Sequence, residues 1–262
     1  MFNAMTKEKL NVVKENHVRP ESYQPKALIL CGTSDIKNEY EKYRGRFTDI
    51  DEIYSGNSRF ANMLMGKLGG HLAAFATVCG PQMAYDVTDY FAVSGISLVI
   101  LAGSCMALNR NIQTGDTLMA VEACRYERYA GCHSSSQLPV FPARWDSSQR
   151  PAGNGTPGRS WHWGRVCTVS NTVTDIEQIS NICLLNQCWA VDRETAGVFA
   201  VAGLHHINCT AILTVADNPV YPGGSGEAGH PGWYNWYGSS EKSMEAALQI
   251  TYSYCESGKG ED

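Results

Sequence analysis

The sequence predicts an α/β fold with a central sheet, and three observations support this prediction. The runs at 96–102 and 210–216 are short, apolar and rich in Ile, Leu and Val, which is typical of buried strands. Predicted helices lie between the predicted strands along the chain. Asp217 directly follows the second run, and ligands of open α/β sheets bind beyond the carboxyl ends of the strands.

Six elements are predicted in the first half of the domain. They are a strand at 26–31, a helix at 35–45, a strand at 71–78, a helix at 81–93 and strands at 96–102 and 116–122. The loop Gly32-Thr-Ser-Asp35 follows the first strand, and a second loop at 103–107 follows the central one. The helix at 81–93 is expected to stop before Gly95, because glycine commonly follows the end of a helix.

Two loops stand out in the second half of the chain. One at 131–160 is rich in Ser, Gly, Pro and Arg, and one at 218–238 is rich in Gly and Trp and follows Asp217. The other elements are helices at 173–185, 192–204 and 239–253 and strands at 188–191 and 209–216. The domain organisation is predicted as a polar arm at 1–24, a single domain at 25–255 and a disordered tail at 256–262.

Composition and charge narrow the range of functions. The chain has 262 residues, of which 44% are hydrophobic, so one sizeable core is expected. Its formal net charge is −5 and it has no basic block, which argues against nucleic acid or a membrane surface as a partner. No apolar run approaches the roughly 20 residues of a membrane span, and the start lacks the apolar core of a secretory signal. These features predict a cytoplasmic protein with a small-molecule substrate.

The ten cysteines are scattered, and several lie inside apolar runs. This pattern favours reduced, buried thiols over a disulfide framework. The sequence contains no CxxC and no HExxH motif, so no metal site is expected. No cofactor is predicted either, apart from phosphate if it serves as a co-substrate.

Three segments together resemble a known family. They are Gly95–Met119, which includes Gly115-Asp116, then Val191–Ala202, and finally Thr210–Asp217. In this order the sequence is similar to the nucleoside phosphorylase superfamily, which includes purine nucleoside phosphorylases, uridine phosphorylases and methylthioadenosine-type nucleosidases. The resemblance covers roughly 17–255. It implies a three-layer αβα sandwich with a mixed, partly closed central sheet, and assembly into a dimer, trimer or hexamer.

The resemblance also implies cleavage of the N-glycosidic bond between a sugar and a base, with phosphate or water as nucleophile. This chemistry builds positive charge on the sugar, and the departing base needs a proton or a strong hydrogen bond. Asp217 matches the residue that assists the base. Glu194 matches the residue whose carboxylate accepts hydrogen bonds from the sugar hydroxyls. On the residues alone, Asp217 could instead cap a helix, and Glu194 could be solvated or pair with Arg193.

Other site residues follow from the same resemblance. Gly32 and Ser104 match the backbone and hydroxyl parts of the nucleophile pocket. His17 matches a histidine that reaches the sugar of a neighbouring subunit, which requires at least a dimer; a histidine on a polar arm is more often simply solvated. Asp35 is the acid nearest to the position that orients water in nucleosidases, although capping the helix at 35–45 is an alternative.

The phosphate pocket of the family departs from its usual pattern here. The positions of the family's phosphate-binding arginines are occupied here by Ile36 or Lys37 and by Leu101. A phosphate dianion without arginine partners is bound poorly. Three further arginines could approach from a partner subunit but align poorly: Arg44, Arg46 and Arg59. The sequence therefore favours hydrolysis over phosphorolysis.

Two further departures concern the substrate. Arg193 replaces a methionine of the family, and it could pair with Asp192 or Glu194 or bind an anionic substrate such as a nucleotide. Asp192 itself is predicted to join Glu194 and Asp217 at one rim. The aromatic residue that stacks on the base is absent from 168–173, and four tryptophans could replace it or serve only in packing: Trp161, Trp163, Trp233 and Trp236.

The sequence thus predicts an enzyme that cleaves a glycosidic bond of a nucleoside or nucleotide-like substrate. A phosphate-dependent phosphorylase is the first alternative. A fold redeployed for a non-nucleoside biosynthetic substrate is the second, and a non-catalytic binding protein is the third.

Overall fold

The computed structural model describes residues 24–53, 62–126, 140–144, 160–170, 176–220 and 241–257 of the chain. In these ranges, ten strands form one mixed sheet and five helices pack against it. The strands are β1 (Ala27–Gly32), β2 (Thr48–Glu52), β3 (Met63–Leu68), β4 (His71–Val78), β5 (Leu98–Ala107), β6 (Thr117–Tyr126), β7 (Val140–Pro142), β8 (Trp161–Val169), β9 (Ala190–Asp192) and β10 (Asn208–Asp217). The helices are α1 (Ile36–Arg44), α2 (Pro81–Val93), α3 (Ile176–Leu185), α4 (Thr195–His205) and α5 (Glu241–Glu256).

Four parallel strands form the part of the sheet that positions the site. β1 lies between β4 and β5 and is parallel to both, and β10 is parallel to β5 on the other side. The carboxyl ends of β1, β4, β5 and β10 therefore lie at one edge of the sheet. Ligands of α/β proteins bind at this edge.

The sheet closes on itself over half of its width. β10 pairs antiparallel with β6, β6 pairs parallel with β8, β8 pairs parallel with β9, and β9 returns antiparallel to β5. These five strands form a closed ring, while β4, β3 and β2 extend from β1 as an open sheet. The predicted mixed, partly closed sheet is confirmed.

Helices cover both faces of the open part of the sheet. Leu28 of β1 packs in one buried cluster with Phe91 of α2 and with side chains of α4. The neighbouring residue Ile29 points the other way and packs with Tyr43 of α1 and Met244 of α5. This alternation follows from the two-residue repeat of a strand, and it gives the predicted three layers. None of the helices in the described ranges is long and apolar enough to cross a membrane.

The predicted elements agree with the structure where the signal is local. β4 and α2 have the predicted bounds, and α2 begins with Pro81 at a position where the missing N–H costs nothing. β5 is longer than predicted, because the supposed loop at 103–107 continues the strand and pairs with β10 and β9. The sequence prediction missed β2, β3 and β8, and β7 lies inside the predicted loop at 131–160.

Two helices are held together at both ends. Gly197 of α4 lies so close to the first turn of α2 that a Cβ there would clash with the carbonyl oxygen of Pro81. At the other end, the Nε2 atom of His205 lies 2.9 Å from Oδ1 of Asp89. The small-residue face of α4 therefore sets the distance between the two helices.

Candidate active site

The turn between β9 and α4 is organised by a buried carboxylate. Asp192 is fully buried, and its Oδ1 accepts a hydrogen bond from the Thr168 hydroxyl at 2.5 Å. Its Oδ2 accepts from the backbone N–H groups of Glu194 at 3.2 Å and of Thr195 at 2.7 Å, and also from the Thr195 hydroxyl. These donors use the carboxylate fully. The geometry therefore gives Asp192 a positioning role, in place of the predicted contact with substrate.

Glu194 follows this turn and contacts two strand ends. The backbone N–H of Gly80 donates a hydrogen bond to its Oε1 at 2.7 Å. Its Oε2 lies 3.1 Å from the point where a Cβ at Gly32 would stand. The residue is only 7% exposed. Gly32 therefore provides the space that the carboxylate occupies at the end of β1.

The environment of Glu194 alters its acidity. Burial raises the pKa of the carboxyl group to about 7, and the nearby Asp192 charge adds to this effect. The Gly80 N–H and the Arg193 guanidinium act in the opposite direction. A carboxyl group that titrates near neutral pH is a common feature of functional sites.

Arg193 lies beside Glu194 and reaches the same glycine. Its Nη2 atom is 3.8 Å from the Cβ position of Gly80. Its Nε atom is buried and has no hydrogen-bond partner in the part of the chain that the structure describes. Within the described residues, the guanidinium forms no ion pair with Asp192 or Glu194, which were the two intramolecular partners considered from the sequence.

Asp217 ends β10, at the same sheet edge. The register between β10 and β5 shifts between Val215 and Asp217, and Asp217 then pairs with Met106. Such an irregularity re-aims the side chain at the end of a strand. Asp217 is 7% exposed, and its Oδ1 accepts a hydrogen bond from the Asn218 N–H at 2.8 Å. The Asn218 side chain donates in turn to the carbonyl oxygens of Asn109 and Ile112, which fixes this turn.

Neighbouring strand ends connect the two carboxylates. Glu194 contacts Gly32 on β1, and the carbonyl oxygen of Gly32 lies 3.5 Å from the Cβ position of Gly103 on β5. Ser104 follows and pairs in register with Thr214 of β10. Gly32, Ser104 and Asp217 therefore lie toward one edge of the sheet, and Glu194 contacts that edge at Gly32.

Asp35 directly precedes α1, but its side chain does not cap the helix. Its side chain accepts a hydrogen bond from the Asn38 amide at 2.9 Å and makes no hydrogen bond to the helix backbone. The carboxylate is exposed in the loop after Gly32. Its role toward water stays a prediction.

Two arginines that could serve a phosphate pocket lie in the described ranges, and both pair with carboxylates of their own chain. The Nε atom of Arg44 lies 2.6 Å from Glu52, and Arg46 forms a two-pronged pair with Glu245. Leu101 is fully buried inside the sheet. His17, Arg59, Trp233 and Trp236 lie outside the described residues.

The two tryptophans of β8 differ in their surroundings. Trp161 packs against the buried cluster of α1 and α5, so packing accounts for it. Trp163 is 37% exposed and stays a candidate stacking face.

Among the described residues, no group of three or more His, Cys, Asp or Glu side chains is arranged to hold a metal ion.

Two residues that support the site, Gly80 and Thr168, were not predicted from the sequence. Gly80 and Thr168 hold Glu194 and Asp192, yet neither belongs to a recognisable motif. The dipeptide Gly80-Pro81 before a helix is the one local signal that could have drawn attention to this turn.

Nine cysteines lie in the described ranges, and all nine are free thiols.

Comparison with known proteins identifies the family. The family model of the phosphorylase superfamily matches residues 26–250. The protein therefore belongs to the phosphorylase superfamily, and the predicted family and enzyme class, that of enzymes cleaving glycosidic bonds, are confirmed. No curated protein sequence matches the chain.

Solved structures share the fold over most of their length. The 5'-methylthioadenosine/S-adenosylhomocysteine nucleosidase of Neisseria meningitidis, in complex with methylthio-immucillin-A, has a TM-score of 0.68 and 18% identity, and the match covers 87% of this chain and 99% of that one. Futalosine hydrolase of Helicobacter pylori has a TM-score of 0.69 and 14% identity, with 89% and 99% covered. The corresponding nucleosidase of Colwellia psychrerythraea, in complex with adenine, has a TM-score of 0.68 and 15% identity, with 88% and 96% covered.

Proposed function

We propose that the protein hydrolyses the N-glycosidic bond of a nucleoside-like substrate. Membership of the phosphorylase superfamily supports bond cleavage, and the similar solved structures are nucleosidases and a hydrolase. The observation that supports the site most directly is the buried Glu194 carboxylate, which lies against Gly32 at the sheet edge where Asp217 ends β10.

Glu194 acts on the sugar in this proposal. The Gly80 N–H holds one carboxylate oxygen, and the lone pairs that remain accept hydrogen bonds from two neighbouring sugar hydroxyls. A carboxylate beside the sugar also favours the positive charge that develops in an oxocarbenium-like transition state. The burial of Glu194 strengthens both effects, since little water screens the charge.

Asp217 acts on the leaving base. As the bond from the sugar carbon to the base nitrogen breaks, its electron pair moves into the ring, and the ring needs a proton or a hydrogen bond. The Asn218 N–H donates to one oxygen of the carboxylate and fixes its orientation. We assign Asp217 this role on its position beyond the bulge in β10.

Water is the proposed nucleophile, with Asp35 as the group that orients it. Phosphate needs cationic partners, and Arg44 and Arg46 are held in ion pairs within their own chain. Leu101 occupies the central-strand position inside the sheet. In this proposal Gly32, which ends β1, and Ser104 of the neighbouring strand β5 line the pocket for the nucleophile.

Base release from a panel of purine and pyrimidine nucleosides tests this function. We expect release in phosphate-free buffer, with activity lowered at least 100-fold by Asp217→Asn and by Glu194→Gln, as is typical when a transition-state contact is lost. Glu41→Gln on the exposed face of α1 is the matched control. Strict dependence on phosphate would establish phosphorolysis instead. Turnover of no nucleoside at all would favour the redeployed fold or the binding protein.

We also propose that the chain forms a homo-oligomer in which His17 reaches a neighbouring site. Light scattering measures the assembly, and His17→Ala should lower activity without changing the oligomer if the residue binds substrate. The cytoplasmic location stays a prediction from the sequence.

A further inference from the structure

Four cysteines form a buried cluster that the site described above does not use. They come from β6, β8, α3 and the segment before β9, and they are Cys124, Cys167, Cys183 and Cys188. The thiol of Cys167 adjoins those of Cys183 and Cys188. Cys188 is the most exposed of the four, at 7%, so a small neutral oxidant would enter beside it. Thiols packed against one another in this way can be joined by oxidation, which makes the cluster a candidate redox site.

Cys124 and Cys188 are in direct contact through their sulfur atoms. The Cys188 thiol donates a hydrogen bond to Sγ of Cys124 at 3.8 Å, across 64 positions of the chain. A disulfide bond is about 2.05 Å long, so the two sulfur atoms would have to approach by about 1.8 Å. Cys124 is paired within β6, whereas Cys188 lies between α3 and β9, outside both elements. The approach therefore comes mainly from Cys188.

The surroundings of Cys124 favour its thiolate. The hydrogen bond from Cys188 lowers the pKa of Cys124, burial opposes this effect, the Arg165 guanidinium lowers the pKa further and the Glu122 charge opposes it, with a net lowering. Donating to Cys124 raises the pKa of Cys188, so that thiol keeps its proton. A thiolate is the form of cysteine that attacks an oxidant, and the protonated thiol beside it can supply the second sulfur of a disulfide.

We propose that Cys124 and Cys188 form a reversible disulfide, and that closing it loosens the turn that holds Glu194. The oxidant is a peroxide such as hydrogen peroxide. The Cys124 sulfur attacks one peroxide oxygen, the O–O bond breaks, and the hydroxide that leaves takes up the proton that Cys124 released. The Cys188 sulfur then attacks the Cys124 sulfur, the S–OH bond breaks, and the Cys188 proton leaves with this hydroxide as water. Two thiols are thus oxidised to one disulfide, and the peroxide is reduced to two water molecules.

A short strand links this pair to the candidate active site. Cys188 precedes β9, whose three residues end at Asp192. The Asp192 carboxylate accepts hydrogen bonds from the backbone N–H groups of Glu194 and Thr195, and from the Thr168 hydroxyl on β8. A shift of Cys188 toward β6 therefore acts on a strand too short to absorb it, and it weakens the hydrogen bonds that set the direction of Glu194.

Peptide mapping by mass spectrometry tests the disulfide directly. The protein is treated with hydrogen peroxide and digested without reductant. We expect one cross-linked pair of peptides that contains Cys124 and Cys188, and its loss after dithiothreitol. Cys188→Ala should remove this pair, whereas Cys255→Ala, at a buried thiol of α5 outside the cluster, should keep it. A link between any other two cysteines, or only oxidation that dithiothreitol does not reverse, would overturn the assignment.

Hydrogen exchange of the same samples measures the coupling to the site. The backbone N–H groups of Glu194 and Thr195 should exchange at least about tenfold faster in the oxidised wild-type protein than in the reduced one, because their hydrogen bonds to Asp192 weaken. The amides of β4 are the internal control and should not change. Peroxide should leave the exchange of Cys188→Ala unchanged. Equal exchange in both wild-type forms would reject the coupling even where the disulfide forms.

Base release gives a second readout of the coupling, and this readout alone rests on the function proposed above. We expect kcat/KM to fall about tenfold on oxidation and to recover with dithiothreitol, since small displacements at a reacting group are costly. Unchanged activity in protein shown to carry the disulfide would reject an effect on catalysis. If neither form releases base, the proposed function is wrong, whereas the peptide map and the hydrogen exchange still decide the disulfide and its coupling.

Discussion

The Glu194 carboxylate accepts a hydrogen bond from the backbone N–H of Gly80 at 2.7 Å, although 114 positions separate the two residues in the chain. This contact joins the turn before α4 to the start of α2. It also fixes the direction of the carboxylate before any ligand arrives, which lowers the cost of ordering the site on binding.

Glu194→Gln should stabilise the protein in a pH-dependent way. The folded state raises the pKa of Glu194 from about 4.5 to about 7, so the native protein holds a proton there that the unfolded chain has released. Its contribution to stability is present below the ordinary pKa and is lost as the pH rises through 7. At pH 8 the variant should gain up to about 3 kcal/mol in the free energy of unfolding, and at pH 4 little or nothing. Urea unfolding at both pH values measures this, and an equal gain at both would contradict the assigned cause.

Activity should fall as the pH drops below about 7. Protonated Glu194 has one acceptor fewer for the sugar hydroxyls, so the site weakens as the carboxylate is lost. A profile of kcat/KM from pH 5 to pH 9 should show this acid limb. The residual activity of Glu194→Gln should lack the limb; a limb of the same midpoint in that variant would assign the titration to another group.

Gly32→Ala should lower activity about tenfold, since a shift of about 1 Å at a reacting group can cost about 100-fold. The new Cβ would stand 3.1 Å from Oε2 of Glu194 and 3.3 Å from its Cδ, which requires the carboxylate to move by a few tenths of an ångström. Gly203→Ala is the matched control, because its Cβ meets nothing within 4 Å and its position on α4 is exposed. The control should keep its activity and gain about 0.5–1 kcal/mol in stability. Equal activity of both variants would remove Gly32 from the site.

Thr168→Val should destabilise the fold by about 1–3 kcal/mol. The hydroxyl donates to Oδ1 of Asp192 and accepts from the Ala196 N–H at 2.9 Å, so its loss removes one hydrogen bond from the buried carboxylate and one from the buried N–H. Thr251→Val tests the same change at a buried hydroxyl that has no hydrogen-bond partner among the described residues, and there it should be neutral or stabilising. Thermal unfolding of both variants measures the difference. Equal losses would show that volume or β-propensity, not the hydrogen bonds, determines the effect.

The sequence predicted the elements whose signal is local. The apolar strand β10 and the helix α2 were found because burial on both faces and a proline start leave marks on neighbouring residues. β2 was missed because Thr48–Glu52 is a polar strand at the edge of the sheet. β8 was missed because Arg, His and Gly interrupt its apolar residues.

The site was predictable in part for a similar reason. Glu194 and Asp217 could be proposed because the segments around them resemble a family in order and spacing. The role of Gly80 could not, because it depends on the distance between two helices in the folded chain. The hydrogen bonds that hold the Asp192 carboxylate likewise include one from Thr168, which lies on another strand.

The close packing at Gly197 and the contact between Asp89 and His205 join α2 and α4 into one packed unit. Gly80 and Glu194 lie at the first turns of these two helices. We therefore expect a bound ligand that displaces either residue to shift both helices together. The NMR chemical shift of the His205 ring, at the other end of the helix pair, should then change when a ligand binds, although His205 does not contact the ligand.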